Sequence, residues 1–187
     1  MEKKDIKPIR YKVENKNMKK VIFFHGYGGE PIPEITEIFS HLGWETIQQH
    51  INYDDEWDLD KCKSITEESV KLSKDCDLII GLSLGGYTAH LVSNHLGKDC
   101  ILINPGLDRS RSLLHIKDFD FSHVVNNCRL EVFLGGRDYQ IPNNYTTDFI
   151  ERKGISARVE TLKDMYHVFD LEEFITIIKM SNFIFND

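Results

Sequence analysis

Short apolar runs alternate with stretches of helical periodicity along most of the chain. Val21–Phe24, Leu78–Ile80 and Cys100–Ile103 are continuous rather than alternating, the pattern of strands covered on both faces, and Leu130–Leu134 reads as another buried strand. Trp44–Ile51 is a weaker strand candidate, and Ala157, Val159 and Thr161 alternate with Arg158 and Glu160 as in a half-exposed strand. A further edge strand is expected around Ile9–Val13, inside a polar lead-in covering residues 1–19. Helical spacing fills the intervals. Ile35, Ile38, Phe39 and Leu42 recur at i, i+3, i+4 and i+7 behind Pro33, and Gly43 closes that helix. Ser64-Ile-Thr-Glu67 reads as a capping box opening a helix with Ile65, Ser69 and Leu72 on one face. Leu84, Tyr87, Leu91 and Val92 mark a third helix ending at Gly97, and Tyr145 and Phe149 a fourth ending near Gly154. Asp170-x-x-Glu173 caps a last one, striped by Leu171, Phe174, Ile175 and Ile178.

Strand and helix alternate throughout, without an internal repeat or a linker rich in Pro, Gly or Ser. The expectation is one α/β domain over residues 1–187, three-layered, with a mainly parallel sheet of about six strands and helices on both faces. Residues 107–128 show the least periodicity and offer at most a small lid. In such sheets the loops after the strand C-termini carry the ligands.

Composition narrows the function classes. The formal charge of −7 argues against nucleic acid and anionic membrane surfaces as main partners, and no apolar stretch approaches membrane-spanning length. Met1–Lys7 lacks the apolar core of a signal peptide, so a cytoplasmic location is expected. The four cysteines are scattered, and Cys76 and Cys100 adjoin apolar runs as small core residues do. His41, His50, His90 and His95 have no partner at metal-ligand spacing, so surface or satisfied core roles are expected of them.

The candidate chemistry lies at strand ends. Gly81-Leu-Ser83-Leu-Gly85 is a G-x-S-x-G pattern joining a strand to a helix, where glycines at 81 and 85 allow the two to approach closely. A tight strand–helix turn needs no catalysis, so the nucleophile reading of Ser83 requires a base, an acid and an oxyanion hole elsewhere. His25-Gly-Tyr-Gly-Gly29 follows the first strand. It is a poor dinucleotide loop, because Pro31 stands where the third glycine of G-x-G-x-x-G belongs. A glycine-rich turn there can aim the Tyr27 N–H inward, to form an oxyanion hole with the N–H of Leu84. Asp138, beyond the strand ending at Leu134, can fix an imidazole tautomer, and His167 lies in the loop between the last strand and the last helix. Asp164 is the nearest competitor for the acid. His25, Gly26, Tyr139 and Phe169 are candidate pocket residues, as is Trp57, although these aromatics suit core or surface positions equally.

Phe24-His-Gly-Tyr-Gly-Gly29, Gly81-Leu-Ser-Leu-Gly-Gly-Tyr-Thr-Ala89, Asn104-Pro-Gly106, Gly136-Arg-Asp138 and the His167 loop together resemble the α/β-hydrolase superfamily. Within it they are similar to the small capless bacterial esterases of the YqiA/YcfP type, from about residue 20 to the C-terminus. Two departures are Gly106 where alanine is more usual after Asn-Pro, and a shorter segment from 107 to 128. The resemblance implies a Ser83–His167–Asp138 triad that hydrolyses small-molecule, short-chain acyl esters or thioesters through an acyl-enzyme; no cofactor and no metal are expected. An amide- or peptide-directed hydrolase and a non-catalytic protein-binding module retaining the fold are the other readings.

Overall fold

The computed structural model describes residues 18–53, 59–107 and 128–185. Among these residues six strands form one sheet: β1 (Lys20–Phe24), β2 (Glu45–Gln49), β3 (Leu78–Leu82), β4 (Asp99–Ile103), β5 (Leu130–Gly135) and β6 (Arg158–Leu162). Their order is β2-β1-β3-β4-β5-β6, and all five pairings are parallel. Among the described residues six helices connect or follow them: α1 (Pro33–His41), α2 (Leu59–Ser73), α3 (Leu84–Leu96), α4 (Asn143–Lys153), α5 (Leu171–Met180) and α6 (Asn182–Phe185).

The central strands are apolar on both sides because helices cover both faces. Ile22, Phe24, Ile79, Leu102, Val132 and Leu134 face α2, α3 and α4, packing with Cys62, Tyr87 and Phe149. Their neighbours Val21, Phe23, Leu78, Ile80, Ile101 and Phe133 face α1, α5 and α6, packing with Phe39, Phe174 and Ile184. α3 crosses the middle of the sheet and is buried nearly all round, from Leu84 to Asn94. From β1 the chain winds outward to β2, then returns to lay β3 on the other side of β1. The winding reverses between β1 and β3, and a crevice opens beyond their C-terminal ends.

Several expectations are corrected. α2 begins at Leu59, so Ser64 lies inside the helix and does not cap it. Burial of Cys62, one turn ahead of Thr66, carries the helix back toward its N-terminus, and the Thr66 hydroxyl donates to the Cys62 carbonyl (2.8 Å). The buried face of α5 is Phe174, Ile177 and Ile178, whereas Leu171 at its start is 42% exposed. β6 is an edge strand, so Thr161 is exposed and strict alternation gives way to partial burial along its length. The edge strand expected at Ile9–Val13, Trp57 and most of the 107–128 segment lie outside the described residues; Leu107 is buried and Cys128 half-buried. Among the described residues no helix is long and apolar enough to cross a membrane, and no group of His, Cys, Asp and Glu is arranged to hold a metal ion.

Candidate active site

Ser83 stands between the end of β3 and the first residue of α3, with φ 54° and ψ −118°. A β-branched or bulky residue would be strained there, and the turn persists because its surroundings over-determine it. The Ser83 N–H donates to Ile103 O (3.0 Å), while Ser83 O accepts from Gly86 N–H (3.0 Å) and Gly106 N–H (2.9 Å). The flanking glycines are required by contact. A Cβ on Gly81 would lie 2.3 Å from Gly85 O, and one on Gly85 would lie 2.2 Å from Phe24 O.

His167 arrives on the loop between β6 and α5. Its Nε2 is 2.9 Å from Ser83 Oγ, and its Nδ1 is 2.8 Å from Asp138 Oδ2. A carboxylate oxygen only accepts, so Nδ1 carries the proton and donates to Asp138; Nε2 is left with its lone pair facing the serine hydroxyl, which donates to it. Asp138 is buried, and its other oxygen, Oδ1, accepts from the Gln140 and Ile141 N–H groups at 2.9 Å each. Asp164 points elsewhere: it pairs with Arg137 (2.6 Å) and is 69% exposed.

The loop after β1 closes over the serine. A Cβ on Gly26 would lie 3.1 Å from Ser83 Cβ and 3.6 Å from its Oγ, so a side chain here would press on the serine until the loop or the serine gave way. Gly26 O accepts from Gly29 N–H (3.1 Å) and from His25 Nδ1 (2.8 Å). The Ile51 N–H donates to His25 Nε2 (3.0 Å), which must therefore be the unprotonated nitrogen, and this sets His25 as the Nδ1–H tautomer. Burial pushes the His25 imidazole below the usual histidine value, as does the neighbouring His50, whose ring centroid is 5.6 Å away. With no cis peptide in the described chain, the carbonyl of Gly26 and the N–H of Tyr27 point in opposite directions. Two donors holding the one thereby set the direction of the other. The Leu84 N–H belongs to the first turn of α3, whose donors have no acceptor within the helix.

A cleft of about 630 Å³ opens above these groups, at the reversal between β1 and β3. Ser83, His167, Gly26, Tyr27 and Val168 form part of its wall, with Glu30 at the mouth paired to His50 (3.0 Å). Two expected pocket residues lie off this wall. Tyr139 is 84% exposed outside it, and Phe169 turns into the core between Phe23 (6.3 Å) and Phe174 (5.0 Å). His90 is a buried core residue beside Asn94, and Cys76 and Cys100 are buried.

Two further polar residues shape the site: Gln48 belongs to no motif, and Asn104 to the Asn104-Pro-Gly106 motif of the resemblance, without an expected role. Gln48 on β2 clamps the opposite wall: its Oε1 accepts from Ile32 N–H, and its Nε2 donates to Ile32 O, both at 2.7 Å. The available signal was a polar side chain inside a strand with a covered face. Asn104, the second, ends β4 with φ 43° and lies buried between strand β5 and the His167 loop. Its signal was the Asn-Pro pair directly after an apolar run.

The model of the uncharacterised protein family UPF0227 matches residues 21–133, from β1 into β5. No curated protein matches the chain in sequence. Solved structures do match in shape. The B. subtilis ydeN gene product aligns with a TM-score of 0.67 at 16% identity, over 89% of this chain and 98% of its own. A carboxylesterase of the ammonia-oxidising thaumarchaeon Nitrososphaera gargenis aligns at 0.66 and 12% identity, over 87% and 89% of the two chains. The Paleococcus ferrophilus monoacylglycerol lipase aligns at 0.62 and 13%, over 85% and 91%. The chain belongs to the UPF0227 family, and its architecture is that of the α/β hydrolases.

Proposed function

We propose that the protein is a serine hydrolase that cleaves small carboxylic esters or thioesters through an acyl-enzyme on Ser83. One observation carries the reading: the continuous hydrogen-bond chain from Ser83 Oγ through His167 to a buried Asp138, set on a strained strand–helix turn beneath an open cleft. In this mechanism Ser83 Oγ attacks the acyl carbonyl as His167 Nε2 takes its proton, and Asp138 steadies the imidazolium. The oxyanion accepts hydrogen bonds from the N–H groups of Tyr27 and Leu84. His167 returns the proton to the departing alcohol or thiol. A water deprotonated by the same nitrogen then hydrolyses the acyl-enzyme. Every group named belongs to the chain, so the chemistry calls for no cofactor. Carboxylesterase and lipase names among the proteins of similar shape agree with the reading.

The substrate is a small molecule that fits a cleft of this size, which lies within the usual range for ligand sites. Short acyl groups are favoured, because residues 107–128 offer only a short stretch to cover a longer chain, and each CH₂ left in water forgoes up to about 0.8 kcal/mol of binding. The test is a panel of p-nitrophenyl esters and acyl thioesters of graded length, alongside labelling by a fluorophosphonate. Ser83→Ala should keep the fold, abolish labelling and lower turnover by several orders of magnitude. Rates highest from acetyl to butyryl are expected. Full ester hydrolysis by folded Ser83→Ala would end the proposal, and rates rising to palmitoyl would end its short-chain part.

A further inference from the structure

Asn104-Pro105-Gly106 takes no part in the mechanism above, yet it touches the supports of all three reacting side chains. Asn104 Nδ2 donates to Tyr166 O and to His167 O, both at 2.8 Å. Its Oδ1 accepts from the N–H of Gly135 at 2.6 Å, on the strand that leads to Asp138. Two residues on, the N–H of Gly106 donates to the carbonyl of Ser83 itself (2.9 Å). The orientation of the amide is unambiguous, since its nitrogen faces two carbonyls and its oxygen faces an N–H. Asn104 is 1% exposed, so each of these bonds replaces water that cannot reach the site.

We infer that Asn104 is the positioning residue of the general base: its amide ties the backbone on both sides of the His167 peptide junction to the acid strand and, through Gly106, to the nucleophile turn. The inference rests on the hydrolase reading. Asparagine suits the position for two reasons at once. Its φ of 43° lies in the left-handed region, which asparagine tolerates far better than most side chains. It also presents two donors and an acceptor on a single short stem, whereas aspartate lacks the donors and glutamine is a methylene too long. The Asn104 N–H continues the β4–β5 ladder by donating to Phe133 O (2.9 Å), so the amide is held by the sheet itself. Proton transfer between Ser83 Oγ and His167 Nε2 depends on a separation of 2.9 Å, and a misplacement of about 1 Å in such a contact costs roughly 10²-fold in rate.

Asn104→Asp separates positioning from packing. The side chain keeps its shape and the bond from Gly135, but its second oxygen meets two carbonyl oxygens that repel it, and the His167 loop is displaced. On p-nitrophenyl butyrate, kcat should fall by about 10²-fold with KM changed by less than about threefold. The low-field proton resonance of the His167–Asp138 hydrogen bond should broaden or vanish. Thr146→Val serves as the control. It removes a hydroxyl bond to Pro105 O (3.1 Å) in the same segment without touching the His167 loop, and should lower Tm while leaving kcat and the resonance in place. If Asn104→Asp does not fold, Asn104→Gly, which accepts the positive φ, is read by the same three measurements. A folded variant with wild-type kcat overturns the inference, as does a Thr146→Val protein that loses as much kcat. Fluorophosphonate labelling of wild-type Ser83 decides the hydrolase reading separately: a labelled wild type with an indifferent Asn104 variant defeats the inference alone, whereas an unlabelled wild type defeats both.

Discussion

Asp138 divides its two oxygens between separate duties, and the division explains why this carboxylate, and not Asp164, suits the acid's role. Oδ1 is occupied by two backbone N–H groups that fold the 138–141 turn, which leaves Oδ2 aimed at His167. In Asp138→Asn the amide oxygen satisfies the turn and the amide nitrogen faces Nδ1. The ring must then accept at Nδ1 and carry its proton on Nε2, where it cannot take one from Ser83. Turnover should drop by roughly 10⁴. Asp164→Asn, on a surface pair with Arg137, should change turnover by less than about twofold. Steady-state kinetics of the two variants checks the assignment, and the reverse ranking would refute it. At Gly26 the constraint is steric. Gly26→Ala would set a methyl 3.1 Å from Ser83 Cβ, shifting either the loop or the serine. A kcat/KM loss of about tenfold or more with little change in Tm is expected; an unaffected rate would show that the loop yields at no cost.

The His167 loop depends on the elements at its two ends. β6 delivers it as an edge strand, paired to β5 along Glu131–Gly135. On the other side, Phe169 enters the core between Phe23 and Phe174, and α5 begins at once with a full capping box. Asp170 Oδ1 accepts from Glu173 N–H, and Glu173 Oε2 accepts from Asp170 N–H, each at 2.8 Å. Asp170→Ala should cost about 1 kcal/mol of stability. It should appear as a lower urea midpoint with an unchanged m-value. Adding Glu173→Ala should cost less than it does alone, because both halves of the box are already broken. Strict additivity in this double-mutant cycle would mean the two bonds are not coupled. The box was legible in the sequence as Asp170-x-x-Glu173, whereas Ser64-x-x-Glu67 carried the same signal and caps nothing. The pattern alone cannot say whether the preceding residues bury a face, and in α2 Cys62 does so.

Across the whole molecule, histidines held neutral by burial make folding sensitive to acid. Burial lowers His90 from 6.5 to about 4 and moves His25 in the same direction. Between about pH 6.5 and pH 4 the unfolded chain binds the His90 proton and the folded chain does not, so stability falls as pH falls through that window and is fully present above it. The loss from His90 amounts to about 3 kcal/mol. Tm measured from pH 7 to pH 4 should fall less steeply in His90→Gln than in wild type, and parallel curves would refute the assignment. The sequence by itself determined the α/β alternation and the bounds of most strands and helices, because a strand covered on both faces must be apolar throughout and a helix between sheet and solvent must be striped. It also marked Ser83, Asp138 and His167 as strand-end residues, since G-x-S-x-G and the positions of the turns are local signals. Only the tertiary structure decided the rest. Strand order and the reversal between β1 and β3 arise from pairings between distant segments. Glu131, inside an otherwise apolar strand, is buried because Arg158 on β6 and Asn182 on α6 bond its Oε1. Phe169 belongs to the core and Tyr139 to solvent, although both are aromatics next to candidate site residues. The tasks of Gln48 and Asn104 depend on partners 16 and more than 60 residues away. A side-chain amide has the same composition wherever it stands, and only the fold supplies the carbonyls and N–H groups that give it work.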